Sequence, residues 1–83
     1  MPLQVILGEP LWREASAHKL TLDLAPGETL PLAALPARIG LSGWTTEDLL
    51  AVVNDRVITA REAETLLLAD GDTVVLQLML AGG

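Results

Sequence analysis

The chain opens and closes on one pattern. Leu3, Val5 and Leu7 alternate with Gln4, Ile6 and Gly8, and Val74, Leu76, Leu78 and Leu80 alternate with Val75, Gln77 and Met79. A period of two belongs to a strand with one packed face, because a slip of one residue turns the whole apolar set to the other side. The first segment predicts a strand over Leu3–Leu7 and the last a strand over Thr73–Leu80. With 83 residues the chain has room for one small domain and no second.

Between these ends the elements are short. Glu9 to Ala17 reads as a connection containing Pro10 and the polar Arg13-Glu14, and Leu20, Leu22 and Leu24 then alternate with Lys19, Thr21 and Asp23 as a strand with one wet face. Ala25-Pro26-Gly27-Glu28 is a turn, after which Thr29 can cap a helix running through Leu30, Leu32, Leu35 and Ile39 to Gly40. Pro31 suits a first helical turn. Pro36 in a helix interior removes a hydrogen bond and clashes with the preceding turn for about 3 kcal/mol, so this helix is expected to be kinked or short. Leu41 to Asp48 is polar and turn-rich, Leu49–Val53 reads as a buried strand, and Asn54-Asp55 is a turn pair that tolerates positive φ. Arg56–Thr59 returns as a short strand, Ala60–Glu64 supplies about one helical turn, and Asp70-Gly71-Asp72 turns into the last strand. The order describes a mixed sheet clasping one main helix, an α+β layer pair, and the β-grasp fold has this order.

Composition narrows the function classes. Half the residues are apolar (51%, mean hydropathy +0.45), which suits a packed core and excludes disorder. The absence of Cys excludes disulfides, thiolate metal sites and a thiol nucleophile. Five basic against eleven acidic residues give a net charge of −6, which repels nucleic-acid phosphates and anionic lipid, so neither nucleic acid nor membrane is an expected partner. The first residues lack the basic flank of a signal peptide, and no segment approaches the roughly 18 apolar residues of a membrane span; the cytoplasm is the expected location.

Few side chains here can run a reaction. His18 is the one histidine, and a triad with Ser16 and Asp23 fails on strand spacing, which lines these residues up instead of stacking them behind an imidazole. Asp70 and Asp72 lack the further oxygen ligands that a calcium loop requires, and the glycines form no phosphate-cradling motif. Trp12 and Trp44 read as packing residues at the rim of the core. What remains is Gly82-Gly83. A glycine carboxylate has no Cβ beside it, and two glycines can enter a slot too narrow for side chains. Three residues beyond a strand span about 10 Å, enough to place that carboxylate in another protein's active site. Being ionised at pH 7 it is a poor electrophile and must first be activated as a mixed anhydride.

Val52-Val53-Asn54-Asp55-Arg56-Val57-Ile58, Leu68-Ala69-Asp70-Gly71-Asp72-Thr73-Val74 and terminal Ala81-Gly82-Gly83 resemble, in this order, the signature of the β-grasp sulfur carriers, the ubiquitin-like family of the molybdopterin synthase small subunit and the thiamine-biosynthesis sulfur carrier. The first half is closer to the molybdopterin branch and the stretch from Asn54 to Asp70 closer to the thiamine branch. Asp55 stands where the family usually has glycine, and Pro36 where its helix is usually uninterrupted. The resemblance implies a domain over residues 1–80 with a flexible tail over 81–83. It implies a carrier that is not itself an enzyme: Gly83 is adenylated by an enzyme of the ubiquitin-activating kind, then converted to a thiocarboxylate for cofactor biosynthesis or tRNA thiolation. ATP and magnesium belong to that enzyme, and this chain binds no cofactor of its own. A sulfur donor and, in one branch, a large catalytic subunit complete the partners. If the first and last strands lie side by side, as the resemblance implies, Ile6, Val75, Gln77 and Met79 face outward and form a docking patch beside the tail, with the acidic surface matching a basic rim on the partner. Two alternatives remain open: a protein modifier joined through Gly83 to lysines, for which Lys19 is this chain's one lysine, and an interaction module with an inert tail.

Overall fold

The computed structural model describes residues 2–9, 11–41, 43–44 and 48–78. Among these the order is β1 (Leu3–Leu7), α1 (Leu11–Ala15), β2 (Lys19–Leu22), β3 (Thr29–Pro31), a 3-10 turn (Leu32–Ala34), α2 (Leu35–Arg38), β4 (Leu49–Val53), β5 (Arg56–Ile58), α3 (Ala60–Ala63), β6 (Leu67–Ala69) and β7 (Thr73–Leu78). The main sheet runs β2-β1-β7-β4-β5, with β1 and β7 parallel at its centre and every other pair antiparallel. Alternation decides its faces as the sequence requires. Leu3, Val5, Leu7, Val74, Leu76 and Ala51 are buried on one side, where the short helices cover them.

Four elements differ from expectation, β6 among them, since no strand is expected from the sequence over Leu67–Ala69. Residues 29–31 form a strand instead of opening a helix: Leu30 precedes Pro31, which disfavours the helical region, and Pro31 is itself extended at φ −58°, ψ 135°. The strand pairs with β6, placing Leu30 opposite fully buried Leu68, so β3 and β6 make a second small sheet. The crossing helix is correspondingly short, a 3-10 turn running into α2. Pro36 sits in the first turn of α2, where a missing N–H leaves no bond unmade, and Gly40 at φ +88° ends the segment as the Leu41 N–H returns to the Pro36 carbonyl at 2.7 Å. Finally, the Glu9–Ala17 connection contains α1, which is too short to persist alone and is anchored by fully buried Leu11.

The remaining turns follow their chemistry. Asn54 (φ +50°) and Asp55 (φ +68°) occupy the left-handed region in the two-residue turn joining β4 and β5, and Gly71 (φ +87°) does so before β7. The helical layer meets the sheet around a mostly apolar cavity of about 10 Å³ lined by Leu32, Pro36, Ala51, Ile58, Ala63 and Leu76 among others, too small for a ligand. No described helix is long and apolar enough to cross a membrane.

Candidate functional site

Strand register brings one line of side chains together on the uncovered face of the sheet. Lys19 pairs with Ile6, Ile6 with Val75, Val75 with Val52, and Val52 with Val57, so the five residues cross all five strands in a single row. Ile6 is 37% exposed and Val57 59% exposed, whereas Val75 and Val52 are half-buried by their neighbours in the row. Gln77, exposed, pairs with half-buried Leu50 one step along. Of the expected docking patch, Ile6, Val75 and Gln77 therefore share one outward face, while Met79 lies outside the described residues. Val52, Val57, Leu50 and Lys19 extend it beyond that expectation. The signal for the valines was present: a two-residue turn at Asn54-Asp55 pairs Val53 with Arg56 and hence Val52 with Val57.

At the end of β7, Leu78 is level with Leu49 of β4, and Gly8, just past β1, donates its N–H to the Leu76 carbonyl at 2.9 Å. Backbone and side chain approach closely here, since a Cβ on Gly8 would lie 3.1 Å from Gln77 Cγ. Helix α1 packs beside this end and touches β7. His18 stacks on Trp12 with ring centroids 4.2 Å apart, and the Arg13 guanidinium lies 5.3 Å from the Trp12 ring while pairing with Glu9 at 3.3 Å. Trp44 donates its indole N–H to Glu14, and both tryptophans pack against the core, as expected. No hydrogen bond joins Ser16, His18 and Asp23 among the described residues. The expected tail, Ala81, Gly82 and Gly83, lies outside the described residues.

The Asn54 and Asp70-Gly71-Asp72 motifs serve the opposite end of β7. Asn54 Nδ2 donates to Asp72 Oδ1 at 2.9 Å, Asn54 Oδ1 accepts from the Thr73 N–H at 3.0 Å, and Asp72 Oδ2 accepts from the Ala69 N–H at 2.9 Å. Both oxygens of Asp72 are thus occupied by protein donors, and no group of three or more candidate ligands for a metal ion exists among the described residues. These residues hold the first residues of β7 in register.

No protein-family model matches the chain, and no curated protein matches it. Among solved structures it is similar to SAMP1 from Haloferax volcanii (18% identity, all of both chains, TM-score 0.69). It is also similar to the HVO 2177 protein of Haloferax volcanii (21% identity, all of this chain and 87% of that one, TM-score 0.71). A third is Urm1 from Sulfolobus solfataricus (19% identity, 92% of this chain and 99% of that one, TM-score 0.61). At these identities the likeness is one of architecture, and with the mixed five-stranded sheet it shows that this chain has the ubiquitin-like β-grasp fold.

Proposed function

We propose that this chain is a sulfur carrier acting through a terminal Gly83. What supports the reading is the fold it shares with SAMP1 and Urm1, ubiquitin-like carrier and modifier proteins, together with a sequence that runs from the central strand into Ala81-Gly82-Gly83. The chain supplies a substrate, not a catalyst. Its carboxylate attacks the α-phosphorus of ATP in a partner of the ubiquitin-activating kind, pyrophosphate leaves, and the acyl adenylate forms. A sulfide nucleophile then displaces AMP and leaves a thiocarboxylate. Glycine at both final positions lets the attacking carboxylate oxygen reach the phosphorus without side-chain obstruction. The sulfur goes on to cofactor biosynthesis, of molybdopterin or thiamine, or to tRNA thiolation, in the cytoplasm.

The outer sheet face contributes docking, with Ile6, Val75 and Gln77 at its centre and Met79 next along the sequence. Deleting Gly82 and Gly83 is expected to abolish ATP–pyrophosphate exchange by the host's adenylating enzyme while leaving the melting temperature within a degree or so, since termini contribute little to packing. Full exchange after that deletion would remove the carrier reading and the modifier reading alike.

A further inference from the structure

Charge on the docking face runs against charge on the molecule. The chain carries −6, yet no Asp or Glu occupies a position in any described strand. The described acids sit in helices, turns and loops. Two strand positions are charged: Arg56, on the core side beside Ile58, is paired with Glu62 at 2.7 Å, and Lys19, on the outer face, ends the apolar row. The outward strand positions are otherwise Gln4, Ile6, Thr21, Leu50, Val52, Val57, and Thr73, Val75 and Gln77, all uncharged. Lys19 is exposed, and the ion pairs Arg13–Glu9 and Arg56–Glu62 lie elsewhere.

Resting on the carrier reading, we propose that the adenylating partner's docking surface is apolar and uncharged along the row Ile6–Val75–Val52–Val57 and places a carboxylate opposite Lys19. A basic rim is the wrong complement for this row: a cation facing Lys19 would meet like charge, and one facing the valines would lose its water with no acidic position in the described strands to receive it. An apolar strip ending in one carboxylate satisfies both ends of the row. It also fixes orientation. The apolar row alone tolerates rotation by half a turn, whereas a charge at one end admits a single alignment, the one that keeps the end of β7 pointing the same way each time.

The test is steady-state ATP–pyrophosphate exchange with the adenylating enzyme purified from the same organism, using the full chain and its variants. Lys19→Glu is expected to raise KM for the chain about tenfold with kcat unchanged, and Lys19→Arg to restore it. The ratio of the Lys19→Glu KM to that of the native chain should narrow as salt is added, because added ions screen the repulsion. Val57→Asp, at a position already open to water, is expected to raise KM similarly. Glu64→Lys, at the residue just after α3, should leave exchange unchanged. Lys19→Glu and Val57→Asp within twofold of the native chain would overturn the proposal, as would a large loss from Glu64→Lys. A second copy on the face would overturn it too, and would appear in sedimentation as a dimer that Val57→Asp dissolves. Failure of the intact chain to support any exchange would instead remove the carrier reading beneath it.

Discussion

Asn54 and Asp72 show how a motif can point to a function without taking part in it. Their side chains satisfy each other and two backbone N–H groups, across the join between the β4–β5 turn and the start of β7. The sequence displays both residues and their turn chemistry, but nothing in it reveals that residues 18 apart share a hydrogen bond. That pairing follows from β4 and β7 being neighbours, which is a property of the sheet. Asp72→Asn leaves one oxygen for two donors, so the variant is expected to lose about 1 kcal/mol, read as a lower urea midpoint at unchanged m value. Exchange by the adenylating enzyme should stay as it was. A stable variant that exchanges poorly would place Asp72 in the docking machinery.

Short elements were legible where local chemistry is strong and illegible where a distant partner decides. The turn at Asn54-Asp55, the alternation of β1 and the single turn of α3 could all be read directly. Thr29-Leu30-Pro31 could not, because its strand exists to pair with β6, and Thr29 carries the residue type of a helix cap. Thr59 is the threonine that does cap. Its hydroxyl accepts the Glu62 N–H at 3.1 Å, and the Glu62 carboxylate accepts from the Thr59 N–H and hydroxyl. Arg56, bonded at 2.7 Å, and the Thr59 backbone then hold the Glu62 carboxyl below its usual pKa of 4.5, against the opposing effect of desolvation. A lowered folded pKa means that the charged form stabilises α3 and β5 above pH 4.5, and that this contribution disappears as pH falls through the depressed value. Glu62→Gln keeps the capping acceptor and removes the charge. It is expected to melt lower than the native chain at pH 7, with the difference closing in acid below pH 4.5. A difference that persists unchanged into strong acid would mean that the Arg56 pair contributes nothing.

For the molecule as a whole, the distribution of polarity is the informative feature. One sheet face is buried by the short helices, and the other presents an apolar row with a lysine at one end in a chain that is otherwise strongly acidic. The central place of β7, beside β1, was implied by the resemblance and is observed; the width of the outer row required the full strand order. The fold determines which surface a partner can grip, and the chemistry proposed for the tail depends on an enzyme that the chain itself does not contain. Intact-mass spectrometry tests that chemistry most directly, using the full chain incubated with the host's adenylating enzyme, ATP, magnesium and a sulfide source. A mass corresponding to one terminal oxygen exchanged for sulfur is the expected result, and a chain whose mass is unchanged, under conditions where the enzyme converts another carrier, would contradict it.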